Sequence, residues 1–134
     1  MIIVDTSALV AILKGERDGA QCLAVLQESQ SVAISAVTLA EALIVASHGD
    51  FAEAMTGLLE DLAPEVVGVT AEAARAVAAA HKRWGRGAHP AVLNFADCFS
   101  YQLATARDSA LLFVGQDFGR TDVISALTEE AYGG

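Results

Sequence analysis

Cysteine is scarce: the chain has two, Cys22 and Cys98. Each sits in an apolar helical pattern, and neither has a Cys or His at metal-ligand spacing. They read as core thiols in a reducing compartment. The three histidines, His48, His81 and His89, form no HxxxH or HExxH pair, which counts against a His-based zinc site. Basic residues are few, 8 against 17 acidic ones, and the net charge of −9 disfavours non-specific attraction to nucleic acid. Five of the eight, Lys82, Arg83, Arg86, Arg107 and Arg120, nevertheless fall within one stretch, so a local phosphate-binding face stays open beside ordinary solvated surface. The longest apolar runs, such as residues 2–4 and 9–13, are far too short to span a bilayer. No charged leader precedes the first strand-like run. The expectation is a soluble cytoplasmic protein with no membrane partner.

What is present suits a compact fold. The 134 residues are 54% apolar and 19% charged, enough for one domain, 1–134, with a sizeable core and no disorder. Strand patterns fall at IIVD (2–5), SVAIS (31–35), EVVGV (65–69) and ALLFVG (110–115). Helical patterns fall at 6–13, 20–29, 37–48, 51–62, 71–84 and 94–108, with Gly15 and Gly49 as stops and Pro64 as a breaker. GRGAHPAVL (85–93) reads as a loop, QDFGRTDV (116–123) as a turn, and the tail after 124 is weakly patterned. Short apolar strands alternating with helices predict an α/β sandwich around a mainly parallel sheet.

One carboxylate stands out. VTLAEALIV (37–45) keeps Glu41 inside an apolar stretch, with no Lys or Arg at helical spacing. A solvated helix edge is the plain reading; a buried ion that needs a partner is the other. In open α/β sheets ligands bind beyond the carboxyl ends of the strands. Asp5 ends the first strand, Asp117 follows the last, Asp97 opens the helix feeding that strand, and Glu41 lies in the helix after the second. Asp5 and Asp117 can each cap a turn or helix, and Asp97 can form a capping box with Asn94. Four acids at one rim would repel one another, however, and a hard divalent ion such as Mg²⁺ or Mn²⁺ relieves that repulsion.

With these residues in hand, the chain resembles the PIN-domain nucleases, most closely VapC-type ribonuclease toxins. The likeness rests on MIIVDTSALVAIL, ISAVTLAEAL, AVLNFADCFSYQLA and LLFVGQDFGRTDV, in family order along nearly the whole chain. The resemblance implies a PIN-like α/β/α sandwich and a metal-dependent endoribonuclease using Mg²⁺ or Mn²⁺. It carries catalytic and metal-binding roles to Asp5, Glu41, Asp97 and Asp117, and supporting roles to Thr6, Ser7 and Asn94. Gln116 stands where relatives often have an acid or Asn before the fourth Asp. Cleavage by metal-activated water would leave a 5′-phosphate and a 3′-hydroxyl. Arg83, Arg86 and His89 are candidates to touch the RNA backbone. The resemblance further implies a cognate VapB-type antitoxin and a homodimer. Three alternatives compete: a haloacid-dehalogenase-type phosphatase, which Asp5-Thr6-Ser7 leaves without its second acid; a catalytically silent module that binds antitoxin or RNA; and a nuclease acting on ribosomal RNA or structured DNA.

Overall fold

A computed structural model describes residues 1–85, 87 and 93–127. In chain order the elements are β1 (Ile2–Val4), α1 (Thr6–Leu13), α2 (Gly19–Glu28), β2 (Val32–Ser35), α3 (Ala36–His48), α4 (Ala52–Leu62), β3 (Glu65–Val67), α5 (Ala71–Trp84), α6 (Asp97–Ala106) and β4 (Ala110–Leu112). Local chemistry sets several boundaries. The carboxylate of Asp5 caps α1 by accepting from the Ser7 N–H, and Ser35 and Thr70 cap α3 and α5 in the same way. Gly15, at φ 63°, takes the left-handed position that ends α1. Gly19 lets α2 approach α1 closely: a Cβ there would lie 2.4 Å from the Ala11 carbonyl oxygen.

The four strands pair in the order β3-β2-β1-β4, all parallel. Parallel sheets bury both faces, and the side chains alternate accordingly. Ile3, Ala33 and Leu111 enter one core with Val77, Trp84, Phe99 and Leu103 of α5 and α6. Val4, Val32, Ile34 and Leu112 enter the other with residues of α1, α2, α3 and α4. The result is an α/β/α sandwich. Ile3, Ile34, Leu111 and Leu112 are fully buried, each contributing roughly 1.5–3 kcal/mol.

All four strand patterns form strands, but β3 and β4 stop at Val67 and Leu112, short of the expected 69 and 115. The last helix starts at Asp97 rather than 94, because residues 95–96 form a turn. Residues 124–126 are more regular than the weak pattern of the tail implied: Leu111 donates to the Ile124 carbonyl and accepts from the Ala126 N–H, a parallel bridge on the outer side of β4. Most of the expected 85–93 loop lies outside the described residues, although its ends meet where Leu93 N–H donates to the Trp84 carbonyl. Among the described residues, no helix is long and apolar enough to cross a membrane.

Candidate active site

The strand order places a switch point between β1 and β4: the chain winds from β1 through β2 to β3, then returns to β1's other side. The carboxyl ends flanking such a point leave a crevice between diverging connections. Asp5 follows β1 directly, and Val114 and Gly115 follow β4. They line a cleft of about 430 Å³ together with Thr6, Ser7, Val10, Glu16, Glu41, Val45 and Asp97.

Three of the four expected acids therefore meet. Asp5 is 4% exposed and fully engaged. Its Oδ2 accepts from the Ser7 N–H at 3.1 Å and the Ser7 hydroxyl at 2.7 Å, and its Oδ1 accepts from the Ser100 hydroxyl at 2.6 Å. The Ser7 oxygen also accepts from the Val114 N–H at 3.0 Å, tying the ends of β1 and β4 together. Asp97, 8% exposed, forms a reciprocal box with Asn94. The Asn94 N–H donates to Asp97 Oδ2 at 3.0 Å, and the Asp97 N–H donates to Asn94 Oδ1 at 2.9 Å. Capping and placement at the rim thus occur together for Asp5 and Asp97. Glu41 is half-buried on the α3 face that lines the cleft. Asp117 is exposed and is not one of the residues lining the cleft.

Electrostatics link all four. Burial pushes the Asp97 carboxyl up from 3.8 to about 7; the Asn94 N–H opposes the rise, and the charges of Asp5, Asp117 and Glu41 add to it. Among the described residues, the two ion pairs join Arg83 to Asp122 and Arg107 to Glu65, and neither reaches this cleft. A donor set of carboxylate oxygens fits a hard divalent cation. The fit is not a finished cage: among the described residues, no three His, Cys, Asp or Glu side chains are already set to hold a metal ion. The carboxylates influence one another through space, but Asp5 and Asp97 are directed onto O–H and N–H donors instead of a common point.

Other expectations fare differently. Thr6 lines the cleft beside Asp5, and its hydroxyl donates to the Thr38 carbonyl at 3.3 Å. Arg83 stacks over the Trp84 ring at 4.4 Å and pairs with Asp122 at 3.6 Å, so it anchors α5 to the 116–123 segment. Arg86 and His89 lie outside the described residues. Both cysteines are free and buried, and burial raises each thiol to about 11, with Asp18 adding to Cys22 and Asp97 to Cys98. Three participants escaped the sequence reading. Glu16 was hidden in a polar turn. Thr38 and Ser100 look like neutral helix residues, and their only signal is a position three residues from Glu41 and from Asp97.

The fold and the rim define an α/β protein with an acidic cleft at the switch point of its sheet. The chain belongs to the PIN-domain family, whose model matches residues 2–124. It is 44% identical over 126 residues to ribonuclease VapC36 of Mycobacterium tuberculosis, covering 91% of each chain. It is 42% identical over 132 residues to ribonuclease VapC42 of the same species, covering 95% of this chain and 100% of that one. Its fold is similar to that of Mycobacterium tuberculosis VapC20, described as a sarcin-ricin loop cleaving toxin, with a TM-score of 0.73 at 18% identity over 92% of this chain and 97% of that one. A chain of a toxin–antitoxin complex from Klebsiella pneumoniae gives 0.72 at 18% identity, covering 95% and 98%.

Proposed function

We propose that this protein is a VapC-type endoribonuclease toxin that cuts RNA with the help of Mg²⁺ or Mn²⁺ and is restrained by a cognate VapB-type antitoxin. The observation that carries this reading is the arrival of Asp5, Glu41 and Asp97 at one cleft from three separate elements of a PIN-family chain. The names of its relatives as VapC ribonucleases support it. A single domain over residues 1–134, a homodimer and a cytoplasmic location complete the proposal.

Asp5, Glu41 and Asp97 would hold the ion, with Asp117 adding an outer contact. When bound, the ion supplies an acidified water and offsets negative charge on the scissile phosphate. The chain's own groups prepare the place. Ser7 and Ser100 fix the Asp5 carboxylate by hydrogen bonds to both of its oxygens. Asp97, with its carboxyl near 7, can hold a proton at neutral pH and release it when positive charge arrives. Val10, Val45 and Val114 give the cleft apolar walls, which strengthen the charge interactions beside them. Unpaired or loop RNA suits such a site, because sequence-reading proteins usually take splayed bases. A basic antitoxin side chain laid among the acids would relieve the same repulsion as the ion, giving inhibition a simple electrostatic basis.

The test is cleavage of RNA by purified protein in Mn²⁺ or Mg²⁺ and in EDTA, comparing the parent with Asp5→Asn and Asp97→Asn. The expected result is metal-dependent cleavage by the parent, leaving 5′-phosphate ends, and loss of cleavage in both variants. Undiminished cleavage by both variants would reject the mechanism.

A further inference from the structure

Behind the acids lies a chain of buried hydroxyls that joins three elements. Ser100 is 0% exposed and Thr38 is 1% exposed. The Ser100 hydroxyl is 2.6 Å from Asp5 Oδ1, and the Thr38 and Ser100 hydroxyl oxygens are 3.0 Å apart. The Ser100 hydroxyl donates to Asp5 Oδ1, which uses its single proton. Its oxygen then accepts from Thr38, which fixes the direction of the whole chain: Thr38 to Ser100 to Asp5. The Thr38 carbonyl in turn accepts from the Thr6 hydroxyl, closing the connection back to the start of α1.

The positions of these hydroxyls matter as much as the bonds. Thr38 precedes Glu41 by three residues on α3, and Ser100 follows Asp97 by three on α6. Residues three apart on a helix share a face. Each hydroxyl is therefore bound rigidly to the helix turn that carries an acid, while Asp5 is bound directly. We infer that Thr38 and Ser100 are positioning residues that set the spacing of Asp5, Glu41 and Asp97, and through it the affinity of this rim for a divalent cation. The inference rests on the functional reading above and adds two residues to it. Packing alone does not require this arrangement: an apolar pair of similar size would fill the same space without two buried polar groups. Partners that orient ligating carboxylates commonly change metal affinity 10- to 100-fold when removed.

The experiment uses the full chain as parent, Ser100→Ala, Ser100→Thr and Thr38→Val. Mn²⁺ binding is measured by calorimetry, thermal melting in EDTA, and RNA cleavage across Mn²⁺ concentrations. Ser100→Ala should bind Mn²⁺ about tenfold or more weakly and recover much of its cleavage at saturating Mn²⁺. Ser100→Thr, which keeps the hydroxyl, should bind close to the parent, and Thr38→Val should fall between. A purely structural role would lower melting in EDTA and leave the Mn²⁺ affinity of the folded protein unchanged. Parent-like Mn²⁺ affinity in a cooperatively melting Ser100→Ala overturns the inference and leaves the functional reading standing. Should Ser100→Ala fail to melt cooperatively, Thr38→Val decides: weakened binding supports the inference, and parent-like binding overturns it. A parent that neither binds Mn²⁺ nor cleaves RNA overturns both.

Discussion

The two rims of the sheet treat their acids in opposite ways. At the amino rim, Glu65 opens β3 and meets Arg107, the residue that caps the end of α6. The guanidinium donates to both carboxylate oxygens at 3.2 and 2.9 Å, holding Glu65 below the usual carboxylate range. At the carboxyl rim, the same helix begins with Asp97, whose carboxyl is pushed up to about 7 by burial, with three other acids adding to the rise. One helix thus spans both situations. Where the acid serves the fold, a cation is supplied within the chain. Where acids gather at the switch point, hydroxyl and N–H donors meet them, and among the described residues neither ion pair reaches the cleft.

The largest expected effect comes from removing charge at the crowded rim. Asp97→Asn should reduce RNA cleavage on the order of 10²–10³-fold, the size of losing one electrostatic contact to a reaction centre. The same change should stabilise the metal-free protein. A carboxyl raised from 3.8 to about 7 favours the folded state below pH 4 and loses that contribution as pH rises through about 7. Metal-free parent should therefore melt progressively lower from pH 5 to pH 8, and Asp97→Asn should flatten that slope. The gain at pH 8 is about 1–2 kcal/mol, discounted because the cleft opens to solvent. Opposite signs for stability and activity in one variant would distinguish this rim from the amino rim.

Glu41→Gln should cost about tenfold in cleavage at limiting Mn²⁺, since one of the four acids lining the cleft loses its charge. Asp117→Asn should cost only a few-fold, because that side chain is exposed and outside the cleft lining. Arg107→Ala provides the contrast: the pair it breaks is exposed, so stability should barely change and cleavage should be unchanged. Cleavage assays and thermal melts on the same preparations check all three.

Much of this was legible along the chain, for physical reasons. β1, β2 and β4 are buried and read as apolar runs, and β3, though largely exposed, carries the β-branched pair Val66 and Val67, so all four were visible, along with the six helices between them. Asp5 and Asp97 were visible because each stands at a junction between an apolar run and a turn. Their capping roles did not compete with placement at the rim, because the bonds that cap the helices are the bonds that hold the carboxylates. Glu41 stood out because nothing near it in sequence offered a counter-charge. The rest depended on contacts between distant segments. The pairing of Arg83 was not visible because its partner Asp122 is brought to it from the distant 116–123 segment. The bridge from Leu111 to residues 124–126 carries little apolar patterning, since Ile124 is exposed and Ser125 supplies polar contacts. Thr38 and Ser100 could not be singled out, because a buried hydroxyl has the same sequence signature as a solvated one.

The most direct test of the contrast between the rims is to locate a cation. Crystals of the protein soaked in Mn²⁺ should show anomalous scattering beside the Asp5 and Asp97 carboxylates, with at least one oxygen of each within about 2–2.5 Å of the ion or bridged to it by a water. No such peak should appear at Glu65. A peak absent from the carboxyl rim at saturating Mn²⁺, or one found only at the amino rim, would contradict the account.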